Sequence, residues 1–230
     1  MSQSTALLAL DGIVSDAERV GWTDAGLARR DLGGIVERIV SAPELLADVV
    51  GDVIDRRGAA GGCESYPNMD KLVLWSSRDG DLRLRLHLFF PGYADRPHNH
   101  RWSFLSRILA GGYLHSLYGT AEDALSRVGQ GLPLRVLYAR EETAGSTYFL
   151  DRTLVHSLRA DSVTASLLLR GPAVEETYFT LLAGPPGTQP AVDVSAGAAR
   201  ESPEELSAKA MTDEGFDRVR RTLRRLGLLA

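Results

Sequence analysis

Apolar and polar positions divide the chain into three stretches. Through the first sixty residues apolar side chains recur at three- and four-residue steps, the period of an amphipathic helix. In "DAGLARRDLGGIVERIV" that stripe is Leu27, Leu32, Ile35, Val36, Ile39 and Val40. "SAPELLADVVGDVIDRR" predicts a second helix with Ser41 as N-cap, Pro43 in the first turn and Glu44 at capping-box distance. Its core stripe is Leu45, Leu46, Val49, Val50, Val53 and Ile54. "GAAGG", residues 58–62, ends this pattern, and the period changes to two. "DLRLRLHLF" alternates strictly, with Leu82, Leu84, Leu86 and Leu88 on one face and Arg83, Arg85, His87 and Phe89 on the other. That is a strand with two unlike faces.

Further strands are predicted at "KLVLWSS", "SFLSRILAG", "YLHSLYG", "LRVLYARE", "STYFLD", "LVHSLRA", "VTASLLLRG" and "ETYFTLL", separated by turns such as "RDGD" and "FPGYADRP". No helical period intervenes between residues 70 and 183. A run of short antiparallel strands predicts a mainly β fold, a barrel or double-sheet jelly roll. "AGPPGTQPAVDVSAGAA", residues 183–199, reads as a linker or wrapping loop. Ser202-Pro203-Glu204-Glu205 then opens a helical tail whose apolar stripe is Phe216, Val219, Leu223 and Leu226. The expected organisation is a helical extension over 1–62, a β-barrel over 63–183, and a linker with C-terminal helices over 184–230. All three belong to one globular domain.

Composition narrows the function classes. With 44% hydrophobic residues, 24% charged residues and a net charge of −4, the 230-residue chain gives no reason to expect nucleic acid as partner. Cys63 is the only cysteine, so no internal disulfide forms and a reducing cytoplasm is the expected location. Set in a glycine-rich turn, that thiol reads as structural. The opening "MSQSTALLALDGIVSDAE" lacks the basic and apolar regions of a signal peptide, and no later stretch has the length of a membrane span. The arginines of "RVRRTLRRL" follow Asp213, Glu214 and Asp217, an order that complements a helix dipole and predicts a solvated face.

Candidate chemistry concentrates in "RPHNHRWSFLSRILAGGYLH", residues 96–115. In extended chain His98 and His100 share one side, with Asn99 opposite. Two such imidazoles can share a metal ion at about 2.1 Å each, with a third ligand from elsewhere. His156, in "GSTYFLDRTLVHSLRA", is the best candidate for that third place.

"HNH", the glycine at Gly112 and "GSTYFLDRTLVHSL" together resemble the two conserved motifs of the cupin superfamily, over roughly residues 70–180. Most cupins carry a glutamate shortly after the second histidine; Phe104 and Leu105 stand there instead. In lacking it the chain resembles the three-histidine thiol dioxygenases, cysteine dioxygenase in particular. The resemblance implies a cupin-type double-stranded β-helix and a metal set of His98, His100 and His156. It also implies iron(II) as cofactor, and dioxygen with a small anionic substrate, a thiol or amino-acid derivative such as cysteine, as partners. The cysteine–tyrosine crosslink of the animal enzymes would fall at Leu105 and Arg170 and cannot form; of the late-strand Ser-x-His-x-Tyr run only Ser166 is kept.

The residues support these expectations independently and leave alternatives open. Three neutral imidazoles leave a divalent ion's charge uncompensated, which favours an anionic ligand, but zinc, nickel or copper would also accept imidazole. A zinc or nickel centre acting as a Lewis acid in isomerase, lyase or hydrolytic chemistry is the second reading. A non-catalytic ligand-binding module is the third. Arg83, Arg85 and His87 form either a solvated face or the lining of a barrel in which an arginine grips a carboxylate. Arg170 shares a face with Ser166 and Leu168 and either binds substrate or ends its strand in water. Tyr148 and His87 are candidate catalytic groups, and Tyr118 is a further possible hydroxyl. His115 is an imidazole either at the surface or behind the metal site. Two copies could pair through sheet edges as a homodimer.

Overall fold

A computed structural model describes residues 5–58, 61–182, 191–196 and 201–230. Helices α1 (Thr5–Val14), α2 (Ala25–Val40) and α3 (Pro43–Asp55) form the N-terminal part, with a 3₁₀ turn over Ser15–Arg19. Asp24 caps α2 by accepting from the backbone N–H groups of Gly26 and Leu27. Leu32, Ile35, Val36 and Ile39 of α2 are buried as expected, whereas Leu27, in the first turn, is exposed. The N-cap of α3 is Ala42, without a side-chain cap. Ser41 instead closes α2 and donates its hydroxyl to Glu37 at 3.3 Å.

The strands are β1 (Glu64–Tyr66), β2 (Met69–Ser76), β3 (Arg83–Phe89), β4 (Tyr93–Ala94), β5 (Phe104–Ala110), β6 (Gly112–Thr120), β7 (Tyr138–Thr143), β8 (Thr147–Leu150), β9 (Leu154–Ala160), β10 (Thr164–Arg170), β11 (Tyr178–Leu182) and β12 (Ala191–Ser195). One sheet has the order β1-β2-β3-β10-β5-β8, a second β4-β9-β6-β7, and β11 pairs with β12. From β3 to β10 the chain passes back and forth between the first two sheets, resting only at the β6–β7 hairpin. That order is a jelly roll, the double-stranded β-helix the motifs imply. All of its ladders are antiparallel.

Three features differ from expectation. A helix, α4 (Ala121–Gly129), interrupts the strands: Thr120 caps it, Glu122 and Asp123 occupy its first turn, and Ala124 and Val128 are buried. Its nine residues are too few to register a helical period against the surrounding strands. Strand β7 begins only at Tyr138, so "LRVL" before it lies outside the ladder. Within the stretch read as a linker, Ala191–Ser195 is a strand paired along β11; residues 183–190 and 197–199 lie outside the described residues.

The helices decide which face of the first sheet is polar. Leu84, Leu86 and Leu88 of β3 join Leu105, Leu167 and Leu169 in one buried cluster with α1, α2, α3 and the C-terminal helix α6 (Asp213–Arg225). Each such leucine contributes roughly 1.5–3 kcal/mol by leaving water. With the apolar requirement met on the outer face, the inner face carries Arg83, Arg85 and His87 into a cavity between the sheets. The solvated-face reading of these residues is therefore set aside.

A short helix α5 (Pro203–Lys209) precedes α6, and the N-terminal signature at Ser202–Glu205 forms a capping box between those two residues. Phe216, Val219 and Leu223 of α6 are buried, but its arginines are not merely a solvated face. Arg218 forks onto Asp70 with Nε at 2.9 Å and Nη2 at 2.5 Å, and Arg220 pairs with Asp55. Cys63 is buried, and its sulfur accepts from the Val73 backbone N–H at 3.4 Å.

Candidate metal centre and anion cavity

The segment carrying His98 and His100 is extended but not part of a regular strand. His98 forms isolated antiparallel bridges to His156 and to Thr180, exchanging backbone hydrogen bonds of 2.9 Å with His156 in both directions. This pins the His-x-His segment across the start of β9. Asn99 turns the opposite way, as alternation requires, and its side-chain oxygen accepts from the buried Phe179 N–H at 2.8 Å. The imidazoles of His98, His100 and His156 consequently face one another, each offering one nitrogen within 4.8 Å of the others.

The donor set fits a divalent metal. Two donors on one ion at about 2.1 Å stand roughly 3–4 Å apart, so the cluster needs side-chain adjustments of no more than about 1–2 Å. Nε2 of His100 lies 2.9 Å from Nε2 of His156. The Nδ1 atoms of His98 and His156 are engaged elsewhere. His98 Nδ1 lies 2.8 Å from the Arg96 carbonyl oxygen, and His156 Nδ1 lies 3.1 Å from Nε2 of His115. Each arrangement leaves Nε2 aimed inward. Burial holds His156 and His100 well below the usual imidazole pKa, aided by repulsion between neighbouring rings. The neutral imidazole is the form that ligates a metal. No carboxylate joins the cluster among the described residues.

Behind His156 a chain of contacts crosses three adjacent strands. His115 on β6 is buried, and its Nδ1 lies 3.7 Å from Glu142 on β7. Glu142 is 2% exposed and is gripped by Arg140 through Nε at 3.0 Å and Nη2 at 2.5 Å. Burial pushes His115 down to about 4, against the pull of Glu142. His115 is therefore not a surface imidazole but lies buried behind the three-histidine cluster. Such outer partners fix a ligand's tautomer and ring orientation.

The cavity above the cluster has a volume of about 440 Å³, within the range of small-molecule sites. Arg83, Arg85, His87, Arg170 and Tyr148 all line it. Nε of each of the three arginines and Nε2 of His87 are buried without a hydrogen-bond partner. Trp102 joins the two ends: its ring stacks on His100 at 4.6 Å, and the Arg170 guanidinium lies 5.4 Å from its centre. Tyr148 shares a 2.8 Å hydroxyl contact with Tyr113, and its ring lies 4.6 Å from His115. Tyr118 is elsewhere, with its hydroxyl 3.0 Å from Ser157. Leu105, matched to the crosslink position, faces the helices, and Phe104, 5.2 Å from His100, is the inward residue.

Several residues of the site and its surroundings went unread in the sequence. Lys71 is pushed down to about 8, chiefly by burial, and its ammonium lies 3.5 Å from Glu64. Glu142 had one visible signal, the Arg-x-Glu alternation of "AREET" that puts Arg140 and Glu142 on one strand face. Trp102 had none, because an aromatic beside a strand reads as packing.

No protein-family profile matches this chain, and no curated protein matches it. Solved structures resemble parts of it. An RmlC-like cupin from Shewanella frigidimarina is 18% identical at a TM-score of 0.38, covering 51% of this chain and 89% of that one. KdgF from a Halomonas species is 14% identical at 0.36, covering 49% and 90%. The oxalate decarboxylase–formate complex of Lactobacillus farciminis is 17% identical at 0.39, covering 50% and 31%. The strand order described above, not these partial likenesses, establishes the jelly roll. No helix among the described residues is long and apolar enough to cross a membrane.

Proposed function

We propose that this chain is a metal-dependent enzyme of the cupin type, in which His98, His100 and His156 hold a divalent ion and the adjoining cavity holds a small anionic substrate. The proposed reaction is dioxygenation with iron(II), of a thiol or amino-acid derivative. The observation that carries this reading is the juxtaposition, among the described residues, of three inward imidazoles, unaccompanied by a carboxylate, with three arginines that line the same cavity and have no carboxylate partner. When bound, a redox-active ion would supply open positions for substrate and dioxygen together.

The chain's own residues supply binding and orientation. Arg170, Arg83 and Arg85 face the cavity and are placed to hold the substrate's charged group away from the metal end. His87 is held well below its normal pKa by burial and by Lys71 and Arg85, so it offers a neutral nitrogen to the ligand. Tyr148 and Tyr113 place paired hydroxyls near His115, and burial keeps both protonated, Tyr113 up to about 12. They can donate to an anion without ionising.

Protein reconstituted anaerobically with ferrous iron is expected to consume dioxygen on mixing with a panel of anionic thiols, with uptake dependent on both iron and thiol. Absence of uptake across that panel removes the dioxygenase assignment. The same outcome with stoichiometric zinc in freshly purified protein supports the Lewis-acid alternative, for which the two tyrosine hydroxyls are the available proton donors.

A further inference from the structure

The arginine end of the cavity is charged beyond what one carboxylate would need. Its centre is a like-charge pair: in the β3–β10 ladder Arg83 stands directly across from Arg170, with Arg85 opposite Leu168 on the same inner face. Like charges opposite one another destabilise a sheet unless something neutralises them. No carboxylate lies within 4 Å of Arg83, Arg85 or Arg170 among the described residues. Glu64, which acts on Arg85, is already occupied by Lys71 at 3.5 Å, Lys209 at 3.3 Å and the Tyr66 hydroxyl at 3.0 Å. Asp81, which acts on Arg170, is exposed to solvent. Arg170 itself is only 9% exposed, and its Nη2 donates to the Gly80 carbonyl oxygen at 3.1 Å. Among the described residues that line the cavity, six cationic side chains face four carboxylates, a formal excess of two positive charges.

Deepening the reading above, and resting on it only for the metal-side donor, we infer that the substrate carries a phosphomonoester group seated among Arg83, Arg85 and Arg170. Three arginines on neighbouring positions of one inner face, all lining the same cavity, match a tetrahedral dianion with three free oxygens, which can accept from each. A single carboxylate offers one charge and two oxygens. A dicarboxylate divides its charges between separate places, whereas the three arginines here occupy neighbouring positions of two paired strands. The three side chains line a partly enclosed cavity, where charge-assisted contacts to an anion are strengthened by the low local dielectric. The metal remains free to take a second donor of the same molecule.

Calorimetry tests this with inorganic phosphate, acetate and malonate as probes, at fixed ionic strength and about pH 8, where inorganic phosphate is mostly the dianion that a phosphomonoester is at neutral pH. Each probe is titrated into metal-loaded protein and into protein stripped by chelation, with metal content measured on the same samples. Phosphate is expected to bind once per chain at least tenfold tighter than acetate or malonate, with or without metal. Arg170→Gln is expected to weaken phosphate at least tenfold while leaving metal content unchanged. If that variant does not fold, Arg85→Met, which keeps the side chain's bulk, is expected to give the same loss. Equal affinity for acetate or malonate, phosphate binding only in the metal-loaded protein, or unchanged affinity in a folded variant overturns the assignment. Failure of the protein to hold metal, with phosphate binding intact, counts against the proposed metal enzyme and leaves the phosphate site standing.

Discussion

Replacing His156 by alanine is expected to leave a folded protein whose affinity for a divalent ion falls by roughly two to three orders of magnitude, the share of one ligand in a typical protein metal site. Fold and site separate here because the backbone of residue 156, not its ring, makes the paired 2.9 Å hydrogen bonds to His98. An alanine keeps those bonds and the β9 ladder, so the His-x-His segment stays in place. What disappears is the nitrogen 2.9 Å from His100 Nε2 and the anchor for His115 Nε2. Glu142→Gln removes only the charge that orients His115, and a smaller loss of about ten- to a hundredfold is expected. Competition titrations with a chromophoric chelator measure both. Equal metal affinity in His156→Ala and the parent protein would place the ion elsewhere.

Arg218→Ala is expected to cost about 3 kcal/mol or more, a fall of roughly 6–12 °C in Tm for a chain of this size. Asp70 on β2 is 1% exposed, and Arg218 is the cation bonded to its carboxylate. The arginine head is itself partly exposed, so the cost comes mainly from leaving a buried carboxylate without its partner. The same side chain also lies over Phe90, 5.4 Å from the ring centre, and fastens α6 to the sheet. By contrast Arg159 and Asp161, a pair more than half exposed on both sides, should change stability by less than about 1 kcal/mol when broken. Thermal denaturation of the two variants checks the contrast. A double variant, Asp70→Leu with Arg218→Met, is expected to recover much of the loss, because it removes the buried charge together with its partner.

The fold was legible wherever a period ran long enough. The strict alternation of residues 82–89 located β3 and separated its leucine face from its cationic one. Periodicity could not say which face would be wetted, because that depends on α1, α2 and α3 arriving to cover the leucines. Only the tertiary arrangement turned Arg83 and Arg85 inward. The α4 helix escaped notice for a different reason: at nine residues it offers two buried positions, Ala124 and Val128. Ser41 misled because a good capping residue stood one position too early, at the end of α2 rather than the start of α3.

The three-histidine cluster was legible because two motifs carried it, one from spacing and one from a strand opening after a turn. Its supporting residues were not. Glu142 and Trp102 acquire meaning only from side chains distant in sequence, His115 in one case and His100 with Arg170 in the other. Lys71 sits in an apolar strand where its ammonium gives no hint of the cavity it enters.

X-ray absorption at the metal edge of freshly purified protein bears most directly on the central claim. Three imidazole nitrogens at about 2.1 Å, with the outer-ring scattering of histidine and no protein carboxylate in the coordination shell, are expected. A spectrum dominated by oxygen or sulfur donors, or protein that carries no stoichiometric metal under any reconstitution, would contradict it.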